Sequence, residues 1–516
     1  MAPCSLTRFA DRMAELLPIL PWLAWLLASL LAAVYFLGLR AHQRRGLPPG
    51  PLPLPLIGNL HLLGDQPHRS LAGLAKTHGP LMSLRLGAVT TVVASSPAAA
   101  REFLQRHDAA FATRSVPDAV AAVHGRNSVV WLPSSSPRWR SLRKVMSREL
   151  FAPQRLDTLR HLRREKVRQL VDHVGRLAAD GGAVDVGRAA FATMLNLLSS
   201  TIFSRDLTDL DDHGESKEFQ EVVTKLMEAA GCPNLSDFYP VLAAADLQGC
   251  RRRAAKVLAR LHRVFDEEID RRLLGRESGQ PRKDDFLDLL LDSETGGDKG
   301  TAGMMDRDTL RSIFSDLFAA GSDTSSNTVE WAMTELLQNP ESMSKVCDEL
   351  AGVTGSRRNI EESQIGQLPY LQAVVKETFR LHPPAPFLLP RQAEVATKVN
   401  GYTIPKGARL LINIWAMGRD ANVWPEPEKF MPERFLEKMV DFKGGDFELI
   451  PFGAGRRICP GMPLAVRMVH LVLGSLLNQF KWKLPAEVER NGVDMAEKFG
   501  VTLIKAVPLC AVATPI

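Results

Sequence analysis

The longest apolar run lies at the amino terminus. From Leu16 to Leu39 the chain reads LLPILPWLAWLLASLLAAVYFLGL, with no charged side chain. About 20 apolar residues in a helix cross a bilayer, so the run predicts a transmembrane anchor at 16–39 behind a short tail at 1–15. Pro18 and Pro21 fall near its start, where a helix tolerates proline best, and Trp22, Trp25 and Tyr35 lie towards its ends, as interfacial aromatics do. A secretory signal would have a shorter apolar stretch ending in small residues. This one ends in charge, at Arg40, Arg44 and Arg45, against Arg8 and Arg12 on the other side. Basic residues therefore number three after the run and two before it, which puts the body on the cytosolic side. LPPGPLPLPLIGNLHLLG follows, from Leu47 to Gly64. Its prolines forbid a helix and favour a stiff extended segment, so residues 40–63 read as a basic flank and Pro-rich hinge.

Beyond the hinge, apolar positions recur at spacings of three and four over Arg160–Leu177, Lys217–Ala230, Arg251–Leu274, Leu310–Gln338, Leu371–Leu381 and Leu464–Phe480. These predict helices. Short β-like runs occur at Leu81–Leu86, Thr90–Ala94 and Leu410–Ile414, and the polar stretch Asp292–Gly303 reads as a loop. The pattern predicts a mainly α body with a small β-sheet, one large domain over 64–516, with no internal repeat and no second Pro-rich linker. Neither GxGxxG nor GxxxxGK[ST] occurs, so no nucleotide-binding loop is expected.

Composition narrows this picture. Of 516 residues, 45% are hydrophobic and 24% charged, which excludes global disorder and a polytopic membrane protein. The net charge of +6 is a mild excess for this length and no argument for nucleic acid; an acidic partner or an anionic membrane surface explains it as well. Six scattered cysteines make no disulfide framework and suit a reducing compartment.

One cysteine stands apart. In PFGAGRRICPGMPLA, Pro451–Ala465, Cys459 sits among glycines, beside Arg456 and Arg457, just before a helical pattern whose first turn holds Pro463. Neighbouring cations and a helix start favour a thiolate. A cysteine nucleophile would want a histidine base, and none is identifiable. A structural zinc site would want further Cys or His ligands nearby. An axial haem ligand remains, since haem iron accepts one protein thiolate. A second anomaly lies in the Leu310–Gln338 pattern, which starts with Leu310, Ile313, Phe314, Leu317 and Phe318 but then reads AAGSDTSSNT. Glycine in a helix interior costs about 1 kcal/mol against alanine, and a helix that breaks propensity at its centre often marks a functional site.

FGAGRRICPG resembles the haem-binding signature F-x-x-G-x-R-x-C-x-G of the cytochrome P-450 haem-thiolate monooxygenases, with Phe452, Gly455, Arg457, Cys459 and Gly461 in place. AGSDTS (Ala320–Ser325) resembles the family's oxygen-activating helix motif, and ETFR (Glu377–Arg380) its E-x-x-R motif. PERF (Pro432–Phe435) and WRSLR (Trp139–Arg143) follow the family's order, and the anchor and PPGP hinge match its microsomal branch.

The resemblance implies a cytochrome P-450 fold, a haem on the Cys459 thiolate, and insertion of one oxygen atom from O2 into substrate while the other leaves as water. Trp139, Arg143, Arg391 and Arg457 would hold the propionates, and Phe452 would flank the ring. Ala320 and Gly321 would let haem and dioxygen approach, while Thr324 and Asp323 would deliver protons. Glu377, Arg380 and Arg434 would form a structural triad. The substrate pocket would draw on the Phe111–Trp131 loop, Phe314, Phe318, Phe387, Leu388 and Val501 of the Phe499–Leu503 turn. His382, in RLHPP, reads as a packed or capping residue. With no nucleotide loop in the chain, electrons would come from an NADPH–cytochrome P-450 reductase at the endoplasmic reticulum membrane, docking on Arg138, Arg140, Arg143, Lys144 and Arg148. The phrasing of FGAGRRICPGMPLA and FKWKLP looks like the plant branch of geraniol hydroxylases and related terpene oxidases. A hydrophobic terpenoid, a diterpene of specialised or defence metabolism before a monoterpene, is the expected substrate. Flavonoid or phenolic hydroxylation and a haem-thiolate isomerase or dehydratase are the alternatives.

Overall fold

The structure, a computed structural model, describes residues 46–121, 124–211, 215–295, 305–355 and 359–516, with isolated positions between 21 and 33. Of the expected membrane helix, Pro21, Trp22, Trp25, Leu26, Ser29, Leu30 and Ala33 are described; they are helical and exposed. The rest of that segment, the tail and the basic flank lie outside the described residues. The Pro-rich hinge from Gly46 on is described, and it is fastened to the body. The Ser83 amide and hydroxyl donate to the Pro49 and Pro48 carbonyls at 2.8 and 2.6 Å. Gly50 permits this approach: a Cβ there would sit 1.8 Å from the Ser83 carbonyl oxygen.

Eight helices carry the argument: α1 (Pro137–Val145), α2 (Arg160–Ala179), α3 (Val186–Phe203), α4 (Glu215–Gly231), α5 (Cys250–Glu277), α6 (Arg307–Gln338), α7 (Pro369–Leu381) and α8 (Met462–Gln479). Five of them extend the helical patterns by up to three residues at an end, and α8 starts two residues early and stops at Gln479, where Phe480 begins a strand. Their starts have local causes. Asp306 caps α6 by accepting from the Thr309 amide, and Pro463 falls in the first turn of α8. The α3 helix carries no amphipathic signal because it is buried almost all round. Among the described residues it alone is long and apolar enough to cross a membrane, but 83% of that window is buried within the protein, so it is a core helix.

The central helix α6 runs 32 residues, about 48 Å at 1.5 Å per residue. One apolar core joins its C-terminal half to α2, α3, α7 and α8. A second joins its N-terminal half to α1, α3, α4 and α5. Beside them lies a five-stranded sheet of order β1-β2-β5-β4-β3, formed by β1 (Leu81–Leu86), β2 (Val89–Ala94), β3 (Thr113–Arg114), β4 (Arg391–Gln392) and β5 (Arg409–Ile412). β2 and β5 pair in parallel and the other neighbours antiparallel. Two expectations are corrected. The strand stops at Ile412 because the Asn413 side chain caps a short helix, Ile414–Met417. Asp292–Thr295 close the helix Phe286–Thr295 rather than opening a loop, and residues 296–303 lie outside the described residues.

Candidate functional site

Cys459 stands at the end of a loop shaped by its glycines. Gly453 and Gly455 have φ of +72° and +68°, and a Cβ on Gly455 would meet the Leu104 carbonyl oxygen at 2.3 Å, so only glycine fits there. The Cys459 amide donates to the Phe452 carbonyl at 2.9 Å, closing the loop. Phe452 is wedged between Phe379 and Phe442, with ring centroids 5.2 and 5.7 Å away. Burial pushes the Cys459 thiol pKa up, while the Gly461 and Met462 amides and the Arg143 and Arg114 guanidiniums pull it down. The flanking arginines contribute less than their sequence position implied. Arg456 turns outward to Asp108, at 3.2 Å, and the Arg457 guanidinium donates to the carbonyls of Ala112, Val129 and Leu132. Burial therefore wins in the protein alone, and a bound metal ion is what removes such a thiol proton.

The strand pairing creates an unusual charge arrangement. Arg114 and Arg391 are direct partners across β3 and β4, where like charges ordinarily repel. Arg143 and Arg457 lie close enough to weaken the charge on Arg114 further. Burial pushes Arg391 down to about 10 against the pull of Asp108, and burial together with the Arg391 and Arg143 charges pushes Arg457 down to about 10. Asp108 answers Arg391 at 3.3 Å, yet the Nε atoms of Arg114 and Arg391 are buried with no partner among the described residues. Crowded cations with free donors fit a ligand bearing carboxylates. Trp139 serves this cluster indirectly: its indole N–H donates to the Val129 carbonyl at 3.0 Å and its ring lies 4.5 Å beneath the Arg457 guanidinium. Arg143 reaches the Ile458 carbonyl at 2.6 Å, next to Cys459.

Cys459 and these arginines open on one cavity of about 340 Å³, also lined by Ala320, Gly321, Thr324, Leu388, Phe452 and Val501. A larger, polar surface groove beside Arg160, Arg164 and Glu361 holds none of the site residues. The Cys459 thiolate position, the arginine cluster and the small-residue face of α6 thus share one space that fits a haem. On α6, Thr324 Oγ1 donates to the Ala320 carbonyl at 2.8 Å, four residues back. Asp323 accepts from the Thr502 hydroxyl; burial raises its carboxyl pKa and that hydrogen bond lowers it. Gly321 has a second reason to be glycine, since a Cβ there would meet Leu198 of α3 at 3.0 Å.

Three pocket expectations are corrected. Phe314 and Phe318 do not line the cavity; they turn into an aromatic cluster with Phe203 and Phe265. Phe387 packs on Phe499 in the apolar cluster beside β1 and β2. Large aromatic rings on a two-sided helix are drawn to the larger core, and the cavity wall goes to Val120, Leu226, Met227, Leu317 and Ala319 instead. Arg114 and Thr502 escaped the sequence reading. Their only signals are a lone arginine in an apolar loop and a hydroxyl in the Phe499–Leu503 turn.

Glu377, Arg380 and Arg434 come together. Arg380 grips Glu377 through two hydrogen bonds of 2.7 and 2.8 Å, and Arg434 adds a third at 3.0 Å. Arg380 also binds the carbonyls of Gly418, Pro427 and Lys429, so the triad pins the 418–434 segment to α7. Breaking such a buried pair from one side costs about 3–5 kcal/mol, which makes these residues a brace rather than chemistry. His382 is a packed residue, stacked on Trp331 at 3.9 Å and bonded to Glu335 at 2.6 Å.

The family model "Cytochrome P450" matches residues 48–507. The chain is 52% identical over 476 residues to geraniol 8-hydroxylase of Catharanthus roseus, covering 92% of this chain and 94% of that one. It is 48% identical over 474 residues to 7-ethoxycoumarin O-deethylase of Helianthus tuberosus (92% and 95%), and 44% identical over 490 residues to ferruginol synthase of Isodon rubescens (93% and 98%). With the site geometry, these matches establish that the chain belongs to the cytochrome P450 family of haem-thiolate monooxygenases, whose electrons come from a reductase.

Proposed function

We propose that this enzyme hydroxylates a hydrophobic plant terpenoid, a diterpene in the first instance, with NADPH–cytochrome P450 reductase as donor. The observation that carries the reading is the cavity, whose wall is chiefly apolar side chains and therefore selects a hydrocarbon-like substrate over a sugar or an anion. The names of the relatives run the same way: geraniol 8-hydroxylase is the more similar, and 7-ethoxycoumarin O-deethylase keeps a phenolic substrate as the second reading.

Cys459 would ligate the iron. Arg114, Arg143 and Arg391 would meet the propionates, with Trp139 positioning Arg457 beside them, and Ala320, Gly321 and Phe452 would line the space for the ring. When bound, the haem supplies reductive activation of dioxygen, with one oxygen atom entering substrate and the other leaving as water. The chain's own part is to exclude water, to seat the substrate against Leu388 and Val501, and to move protons through Asp323 and Thr324. Arg140, Lys144 and Arg148 are exposed near the Cys459 side and form the proposed reductase-docking face; Arg138 and Arg143 are largely turned to protein partners. The test is turnover of a panel of mono- and diterpenes, flavonoids and coumarins by the reductase-reconstituted enzyme, with products read by mass spectrometry. Oxidised terpenes are expected; products from phenolics alone would overturn the terpenoid reading.

We also propose that residues 16–39 anchor the enzyme in the endoplasmic reticulum membrane. Every site residue lies beyond the hinge, and the hinge itself is fastened to β1. Removing the residues before Arg40 should ease extraction from membranes and leave the haem spectrum intact. Loss of haem on that truncation would show that the anchor belongs to the catalytic fold.

A further inference from the structure

Among the polar groups on the cavity wall, most are already committed within the protein. Ser315, Thr324 and Thr328 each donate to the carbonyl four residues back on α6, at 2.8 Å, and Thr502 donates to Asp323. Asp316, on the same helix, is saturated. It accepts from the Ser128 hydroxyl at 2.7 and 2.9 Å, from the Val129 amide at 2.8 Å and from His124 Nε2 at 2.7 Å. In the tautomer that donates from Nε2 to the Asp316 carboxylate, Nδ1 carries the lone pair. His124 is only 7% exposed and lines the cavity, and its Nδ1 has no partner among the described residues. A buried acceptor left empty costs free energy unless a ligand or water fills it.

We infer that His124 Nδ1, oriented by Asp316, is a substrate-binding acceptor for a hydroxyl group, so that the enzyme selects an oxygenated terpenoid, an alcohol, over the parent hydrocarbon. This rests on the terpenoid reading above and deepens it. Asp316 precedes Thr324 by eight residues, about 12 Å along the helix. The anchored hydroxyl therefore lies away from the carbon that is oxidised, and the anchor sets which end of the substrate enters first. Asp316 acts as a positioning residue, holding the tautomer and ring orientation while Ser128 and the Val129 amide hold Asp316.

The test uses the full-length holoenzyme and the substrate-induced shift of its haem absorption, which reports binding without turnover. The probes are geraniol, its methyl ether and the matching hydrocarbon 2,6-dimethylocta-2,6-diene, the diterpene alcohol geranylgeraniol with its methyl ether, and 1-decanol with decane. Geraniol is expected to bind about tenfold tighter than its ether or the hydrocarbon, the scale of one net hydrogen bond. His124→Leu should erase that preference while leaving hydrocarbon affinity within about twofold, and His124→Gln, which keeps an acceptor, should restore part of it. An unchanged alcohol preference in His124→Leu overturns the assignment. If that variant loses the haem signature, the wild-type comparison decides, because equal binding of geraniol and its ether removes the need for a donated proton. Binding of decanol over decane with no binding of any terpene would keep the anchor and sink the terpenoid reading. No alcohol preference on any skeleton would sink the anchor alone.

Discussion

Cys459→Ala is expected to abolish both the thiolate-type carbon monoxide spectrum and all turnover, with the fold retained. The loop that presents Cys459 is built by groups the substitution does not touch: the left-handed glycines 453 and 455, the amide of residue 459 on the Phe452 carbonyl, and Arg143 on the Ile458 carbonyl. The side chain itself has Arg143 and Arg114 as its nearest charges and faces the cavity. Losing one sulfur from a cavity wall leaves no unpaired buried charge, so circular dichroism should barely move, while weaker cofactor binding lowers the unfolding midpoint. The arginine cluster persists too, so weak binding of the cofactor's carboxylates can survive without the spectrum. The measurement is the reduced carbon monoxide difference spectrum alongside product formation. A mutant that kept the thiolate-type band would show that another residue is the ligand.

How much of this was legible in the sequence depends on whether the signal was local. Cys459, Gly455 and the Glu377–Arg380 pair lie within short windows, so local signals single them out. Helices α2, α4 and α5 were legible because each has one wet face. The α3 helix was not, because burial on all sides erases the period by which a helix is recognised. Phe314 and Phe318 misled for a related reason: α6 is buried on nearly every face, so composition does not tell which apolar residues meet the cavity and which meet the core. Arg114 is the opposite case. Its meaning comes from strand pairing with Arg391, 277 positions away in sequence, and no local pattern carries a cross-strand register. Arg456 and Arg457, adjacent to each other, both read as cations favouring the Cys459 thiolate; the loop sends one to solvent and the other into the carbonyls of the Phe111–Trp131 loop.

Thr324→Ala is expected to uncouple oxygen reduction from oxygen insertion. The Thr324 hydroxyl hydrogen-bonds its own helix at the Ala320 carbonyl, on the cavity side of α6, and it supports no neighbouring element. Removing it costs the helix at most about 1 kcal/mol, since back-bonded threonines add little to helix stability. Folding, haem content and substrate affinity should therefore stay close to wild type. What is lost is the hydroxyl proton next to Ala320 and Gly321, where dioxygen has room to approach. NADPH consumption should continue while product falls several-fold and hydrogen peroxide rises. Asp323 predicts a different failure. Its carboxyl is raised by burial and held by Thr502, which suits a group that keeps a proton available and hands it inward. Asp323→Asn removes that proton supply, so NADPH use and product should fall together, with their ratio preserved. Thr502→Val should resemble Asp323→Asn in weaker form, because it frees the carboxylate without deleting it. The measurement is product formed per NADPH consumed in the reductase-reconstituted enzyme. An unchanged ratio in Thr324→Ala would remove its hydroxyl from proton delivery and leave the route to Asp323 and Thr502.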